Sequence, residues 1–144
     1  MFPYIFTKVI MYCFDRFMLR VIPKCNTNIT KVTFGYERNP DTNELMGSIE
    51  LDIENQVQFI EQINLILDEG ESLIILSLSE INYIDSSGLW AIFESFKKAE
   101  QRSGKIVLLN PRKDVRRVLD ITKISSKIKI FEEDESAINY LSQE

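Results

Sequence analysis

From about residue 31 onward, apolar and polar positions fall into a regular order. From Lys31 to Glu37 they alternate, with Val32, Phe34 and Tyr36 on one face, as in a half-buried strand. Asn39-Pro40-Asp41-Thr42-Asn43 is a cluster of turn residues. Leu45 to Leu51 predicts a second strand, so the two predict a β-hairpin. Val57, Phe59, Ile60, Ile63, Leu65 and Leu67 then form a broad apolar stripe through to Asp68. Asp52 or Asn55 is placed to cap that helix and Gly70 to stop it. Leu73 to Leu78 is an almost continuous apolar run, which suits a central strand covered on both faces.

After a polar turn at residues 85–88, an amphipathic helix is predicted from Leu89 to about Arg102. It carries Ala91, Ile92, Phe93, Phe96 and Ala99, with Glu94 and Lys98 as a surface pair. Gly104 ends it, and Lys105 to Leu109 predicts the next strand. Asn110-Pro111 is read as a helix start with proline in the first turn, and Val115, Val118, Leu119 and Ile121 as that helix's apolar face. Ile128, Ile130 and Phe131 predict a last short strand. Glu132 to Asp134 favour a final helix start by charge, and that helix buries Ala137, Ile138, Tyr140 and Leu141. Strands alternating with helices predict an α/β fold around a sheet. No internal repeat or low-complexity tract interrupts it.

Residues 1–28 do not fit this rhythm. Phe2, Tyr4, Ile5, Phe6, Val9 to Tyr12, Phe14, Phe17 to Leu19, Val21 and Ile22 are apolar, interrupted by Lys8, Asp15, Arg16 and Arg20. The uninterrupted run from Val9 to Phe14 is far too short to span a bilayer. A signal peptide fits poorly as well, because no positive region precedes the first apolar run and no small-residue cleavage site follows. Three readings stay open. The segment is an extra helix packed on the domain or on a second copy, an interfacial segment in membrane contact, or a poorly ordered stretch before a later start. Pro23 and Asn26-Thr27-Asn28 read as a boundary. The organisation expected is an apolar segment at 1–28 and one domain over 29–144.

Composition narrows the function. The chain has 144 residues, 44% of them hydrophobic and 27% charged, as in an ordinary globular domain. The net charge of −5 argues against nucleic-acid binding. The basic cluster Arg112, Lys113, Arg116 and Arg117 is interrupted by Asp114 and reads as a solvated helix face. The two cysteines, Cys13 and Cys25, make neither a disulfide framework nor a CxxC metal pair. The absence of histidine removes Ser-His-Asp and Cys-His catalysis. No metal site and no cofactor are expected, no phosphate-binding Gly-x-x-x-x-Gly-Lys loop is present, and the location expected is cytoplasmic.

The candidate chemistry lies in Asp85-Ser86-Ser87-Gly88-Leu89-Trp90. A serine here stands at a helix N-terminus, where unpaired N–H groups and the helix dipole favour negative charge. A phosphate on it would be well received. Ser86 can equally be a plain N-cap, and the two roles are compatible. Ser87 is the alternative acceptor. Asp85 could orient the serine hydroxyl or take a backbone N–H as a cap. Gly88 fits either close approach by a partner or simple turn geometry. Trp90 fits either an interface anchor or the core, the commoner fate of a lone tryptophan.

The run Asp85-Ser86-Ser87-Gly88-Leu89 between a buried strand and a helix resembles the bacterial anti-sigma factor antagonists, which are STAS domains. That resemblance implies a STAS-like single domain, with a mixed sheet of four to five strands and about four helices, opening with the hairpin. It also implies that Ser86, directly after the aspartate, is phosphorylated by a partner kinase. The second strand of the family often ends Gly-Glu-Leu-Asp; Glu50-Leu51-Asp52 matches, with Ile49 in place of the glycine. Asp52 corresponds to an acidic position near the serine, and at Trp90 a glycine is common. The partner surface implied is Asp52, Asp85, Ser86, Ser87, Gly88, Leu89 and Trp90.

By the same resemblance, the unmodified protein binds an anti-sigma factor serine kinase and frees a sigma factor. Phosphorylation ends that binding, and a serine phosphatase resets it. ATP and Mg2+ belong to the kinase. A homodimer through residues 1–28 stays open. The alternative function is a STAS scaffold or regulatory subunit of a stress-signalling or lipid-transport assembly, without a phosphoswitch. An enzyme with Ser86 as nucleophile lacks a histidine base, and the turn is not the Gly-x-Ser-x-Gly elbow.

Overall fold

The computed structural model describes residues 4–6, 9–13, 18–23, 28–35, 41 and 49–143. Among them are nine strands, in chain order β1 (Tyr4–Phe6), β2 (Val9–Cys13), β3 (Met18–Pro23), β4 (Ile29–Gly35), β5 (Ile49–Leu51), β6 (Leu73–Ser77), β7 (Ile81–Ile84), β8 (Lys105–Leu109) and β9 (Ile130–Phe131). The helices are α1 (Gln56–Asp68), α2 (Ser86–Gln101), α3 (Lys113–Ile121) and α4 (Asp134–Ser142), with one 3₁₀ turn at Ile124–Ser126. From β5 onward strands and helices alternate except at β6 and β7, two consecutive strands of which the pattern predicts only the first.

The main sheet has seven strands in the order β1-β2-β3-β4-β6-β8-β9. β1 to β4 pair antiparallel, and β4, β6, β8 and β9 run parallel. β6 is therefore central, as its apolar run requires: Ile74 to Ser77 are buried between β4 and β8. Successive residues of β6 and β8 serve opposite faces. Ile74, Leu76, Ile106 and Leu108 join Phe59, Ile63, Leu89, Ile92, Val115 and Leu119 in one core beneath α1, α2 and α3. Ile75, Val107 and Leu109 join Ile29, Ala137 and Leu141 in a second core beneath α4. Lys31 of β4 pairs with Asp134 at the start of α4 at 2.9 Å.

A separate two-stranded sheet, β5 parallel to β7, carries the chain to the start of α2. Its register runs Ile49↔Ile81, then Glu50↔Tyr83, so Asn82 is an extra, bulged residue. The bulge lets Ile81 and Ile84 both be buried although they are three positions apart. Ile49, where the resemblance leads one to expect glycine, is 1% exposed and sits at this irregularity.

Several expectations need correction. Residues 1–28 were open to an extra helix, an interfacial membrane segment or a poorly ordered stretch; their described parts are three strands that extend the sheet antiparallel from β4. Leu19 and Val21 of β3 belong to the first core. β3 and β4 pair from Met18↔Gly35 to Pro23↔Thr30. The predicted hairpin is not formed between its described arms. β4 is bonded to β3 from Thr30 to Gly35 and to β6 from Ile29 to Val32, while β5 pairs with β7. The intervening residues 36–40 and 42–48 lie outside the described residues, Tyr36 among them. With nine strands, the sheet system exceeds the four to five expected.

Smaller corrections concern the helices. α1 buries Phe59, Ile63, Ile66 and Leu67, whereas Val57 and Leu65 of the predicted stripe are exposed. The ends of α1 behave as expected at Gly70, which has φ +97° just past the last turn. α3 starts at Lys113, so Pro111 precedes the helix and is not in its first turn. Ile121 faces solvent. On α2, Glu94 pairs with Lys97 at 3.1 Å, one residue short of the predicted Lys98. Arg112, Lys113, Arg116 and Arg117 do lie on a solvated surface, with Arg116 near Asp120 and Glu132. Among the described residues, no helix is long and apolar enough to cross a membrane.

Candidate functional site

The site is the junction where β5 and β7 end together and α2 begins. Asp85 holds that junction. Its backbone is extended, at φ −106° and ψ −175°, and its Oδ1 accepts the Gly88 N–H at 2.9 Å. Asp85 is therefore the N-cap of α2, one of the two roles open to it, and Ser86 is the first helical residue. The Asp85 N–H donates to the Leu51 carbonyl at 3.3 Å, and its Oδ2 accepts the Ile53 N–H at 3.3 Å. One aspartate so ties the helix start to the loop after β5.

That loop, residues 52–55, is closed by side chains. Asp52 Oδ1 accepts the Glu54 N–H at 3.0 Å. Asn55 is 2% exposed; its Oδ1 accepts the Asp52 N–H at 2.9 Å and its Nδ2 donates to the Glu50 carbonyl at 2.6 Å. Asn55 stands at the N-cap position of α1, but its side chain makes no cap bond. It fixes the loop instead, which is why neither Asp52 nor Asn55 caps that helix in the expected way.

Replacing Asp85 with alanine removes both side-chain bonds. The expected cost is about 1–2 kcal/mol, the upper range for losing an N-cap. Urea unfolding checks it; an unchanged midpoint would show that the cap contributes nothing.

The predicted site residues divide by exposure. Ser86 and Trp90 are exposed, the indole at 51%. The core reading of Trp90 is thus overturned: the buried face of α2 consists of Gly88, Leu89, Ala91, Ile92, Ser95 and Ala99, and Trp90 lies off it. Asp52, Asp85 and Ser87 are half-buried. Gly88 and Leu89 are buried. A Cβ on Gly88 would stand 2.2 Å from the Leu51 carbonyl oxygen and 2.9 Å from Ile84 Cγ1. The glycine therefore allows close approach of this chain's own backbone, and leaves no space there for a partner's.

The N–H groups of Ser86 and Ser87 have no hydrogen-bond partner among the described residues, as the first turn of a helix dictates. They and the helix dipole would favour a phosphate on the exposed Ser86 hydroxyl. The neighbouring Asp85 carboxylate opposes it.

Sequence reasoning missed the surroundings of the turn. Ile53, whose N–H reaches Asp85 Oδ2 at 3.3 Å, is a large apolar residue 67% exposed beside the turn. An open groove of about 320 Å³ also borders Ser86. Its lining from α2 is Ser86, Leu89, Trp90 and Phe93, one helix face; its other wall is Thr122, Lys123, Ile124 and Lys127. The i, i+3, i+4, i+7 spacing from Ser86 to Phe93 was visible in the sequence. That residues 122–127 would stand opposite was not.

The comparisons with known proteins agree with this architecture. The STAS domain family model matches residues 37–137. A candidate anti-sigma factor antagonist of Thermotoga neapolitana is 34% identical over 100 residues, covering 69% of this chain and 88% of that protein. The crystal structure of a candidate anti-sigma factor antagonist from Thermotoga maritima superposes with a TM-score of 0.66 at 26% identity, over 83% of this chain and 92% of that one. The phosphorylated form of the Bacillus cell fate determinant SpoIIAA superposes with a TM-score of 0.55 at 22% identity, over 86% of this chain and 97% of that one, a likeness of fold alone. On its sequence and its fold together, this chain belongs to the STAS domain family, among proteins named as anti-sigma factor antagonists.

Proposed function

We propose that this chain is the antagonist in a partner switch and acts by binding, without catalysis of its own. Unmodified, its Asp85-Ser86-Ser87 turn docks on an anti-sigma factor that is a serine kinase, and a sigma factor is released. The kinase, with its own ATP and Mg2+, transfers a phosphate to Ser86, and the complex dissociates. A serine phosphatase restores the binding form. The observation that carries this reading is the position of Ser86: exposed, first in α2, and bordered by the exposed Trp90 and Ile53. Ser87 is half-buried, which favours Ser86 as the acceptor.

The energetics need no change of fold. Phosphorylation adds a charge of about −1.5 to −2 at neutral pH. In the open surface that charge is hydrated. In a closed interface it would be desolvated next to the Asp85 carboxylate. A penalty of about 3 kcal/mol corresponds to roughly a hundredfold loss of affinity.

Intact-mass measurement and site mapping on protein recovered from its native cells test the reading. The expected result is a single phosphate on Ser86, absent in Ser86→Ala, and a kinase that binds the phosphorylated form about a hundredfold more weakly. No phosphate under any growth condition would overturn the switch and leave a constitutive binding module.

A further inference from the structure

The groove beside Ser86 is lined by apolar side chains and by two cations. Leu89, Trp90, Phe93 and Ile124 supply the apolar surface, and Lys123 and Lys127 are the charged residues lining it among the described residues. This is unusual placement for a chain with a net charge of −5. The carboxylates nearest in sequence are already engaged. Asp85 accepts two backbone N–H groups, Glu94 pairs with Lys97 at 3.1 Å, and Asp120 faces Arg116 at 3.4 Å. Lys123 and Lys127 have no ion-pair partner among the described residues.

The wall that carries the lysines is held in place. Thr122 donates its hydroxyl to the Val118 carbonyl at 2.8 Å, Lys123 adopts φ +62°, and Ile128 just beyond is fully buried. The groove is therefore built into the fold between α2 and the 3₁₀ turn. At about 320 Å³ it lies at the bottom of the range of small-molecule pockets, and it is open to solvent. A groove of that volume has room for one or two side chains of a helix laid across it.

We infer that this groove receives an amphipathic helical segment of the protein partner, with one apolar side chain seated against Trp90 and Ile124 and flanking carboxylates paired with Lys123 and Lys127. The inference rests on the reading of the Ser86 turn as a partner surface, and adds the chemistry of what docks there. Complementary charge at a groove rim fixes orientation and register more than it adds affinity.

Two synthetic helical peptides test it on the full, 15N-labelled chain. Both present a leucine; one carries glutamates one turn before and after it, the other lysines. The acidic peptide is expected to shift the amides of Ser86, Trp90, Phe93, Lys123 and Ile124. It is expected to bind about tenfold more tightly at low salt, the combined effect of two partly exposed ion pairs. The double variant Lys123→Glu, Lys127→Glu, whose changes lie on the surface, is expected to reverse the preference while its melting curve stays in place. Equal binding of the two peptides, shifts outside the groove, or none, would overturn the inference. Binding that is specific to a second copy of the chain, or to lipid vesicles in place of the acidic peptide, would do the same. The two readings fail separately. A groove that takes the acidic peptide in a protein never phosphorylated in its cells sinks the switch alone, and a phosphate on Ser86 with an unresponsive groove sinks the slot alone.

Discussion

Gly88→Ala is expected to destabilise the protein by about 3 kcal/mol, the upper end for overpacking a tight contact, and to lower the melting temperature by roughly 10 °C. The added methyl would stand 2.2 Å from the Leu51 carbonyl oxygen and 2.8 Å from its carbon, where no Cβ can remain. Those atoms are backbone in β5, and the same carbonyl accepts the Asp85 N–H. Moving it would disturb the cap of α2 as well as the small sheet. Helix propensity alone favours alanine over glycine by about 1 kcal/mol, so a net loss isolates the steric effect. Gly104→Ala is a companion case, since its Cβ would stand 2.2 Å from the Ser72 carbonyl oxygen. Gly70→Ala is the contrast: nothing lies within 4 Å, and only the positive φ of +97° is strained. A fall in stability below about 1 kcal/mol for Gly88→Ala would show that β5 yields, and that the junction is looser than its contacts indicate.

The second large effect lies in the core. Phe59→Ala is expected to cost about 4 kcal/mol, within the range for truncating a buried phenylalanine. Phe59 is fully buried on α1 and stacks on Phe34 of β4, with ring centroids 5.8 Å apart and planes 16° apart. Because the ring is fully buried, truncation loses both its transfer free energy and its packing. Urea denaturation measures the change. A loss under about 2 kcal/mol would mean that the neighbouring Ile63 and Leu76 collapse into the cavity.

These two positions differ in how readable they were. Phe59 declared itself through the apolar stripe of its helix. Gly88 was read as turn chemistry or room for a partner, because nothing in a sequence says that Leu51 will lie beneath it. The same holds at larger scale. β6 and β8 are legible because strands covered on both faces must be apolar at nearly every position. The start of α2 was legible only in part: a cap at Asp85 is a local signal, but the helix begins at Ser86, three residues before the predicted Leu89, and Ser86 is its first residue and not its N-cap. β7 was hidden by its bulge, which breaks the two-residue period that marks a strand. β1 to β3 were hidden in a segment rich in Tyr, Ile, Val and Phe, where β-propensity was the available signal and charge interruptions drew attention instead. Trp90 was legible as a choice of two environments, and only the rotation of α2 on its core decided for solvent.

With Gly88 seated on the Leu51 carbonyl and Asp85 bonded to Ile53, the start of α2 and the loop after β5 are fastened as one body. A phosphate on Ser86 would then alter what the surface presents and leave its shape alone. Lid and domain rearrangements take microseconds to seconds, and none would stand between modification and response. The state of such a regulator would track the two opposing enzymes without lag. On the proposed reading, any memory in the circuit would reside in their rates and in how long the partner stays bound.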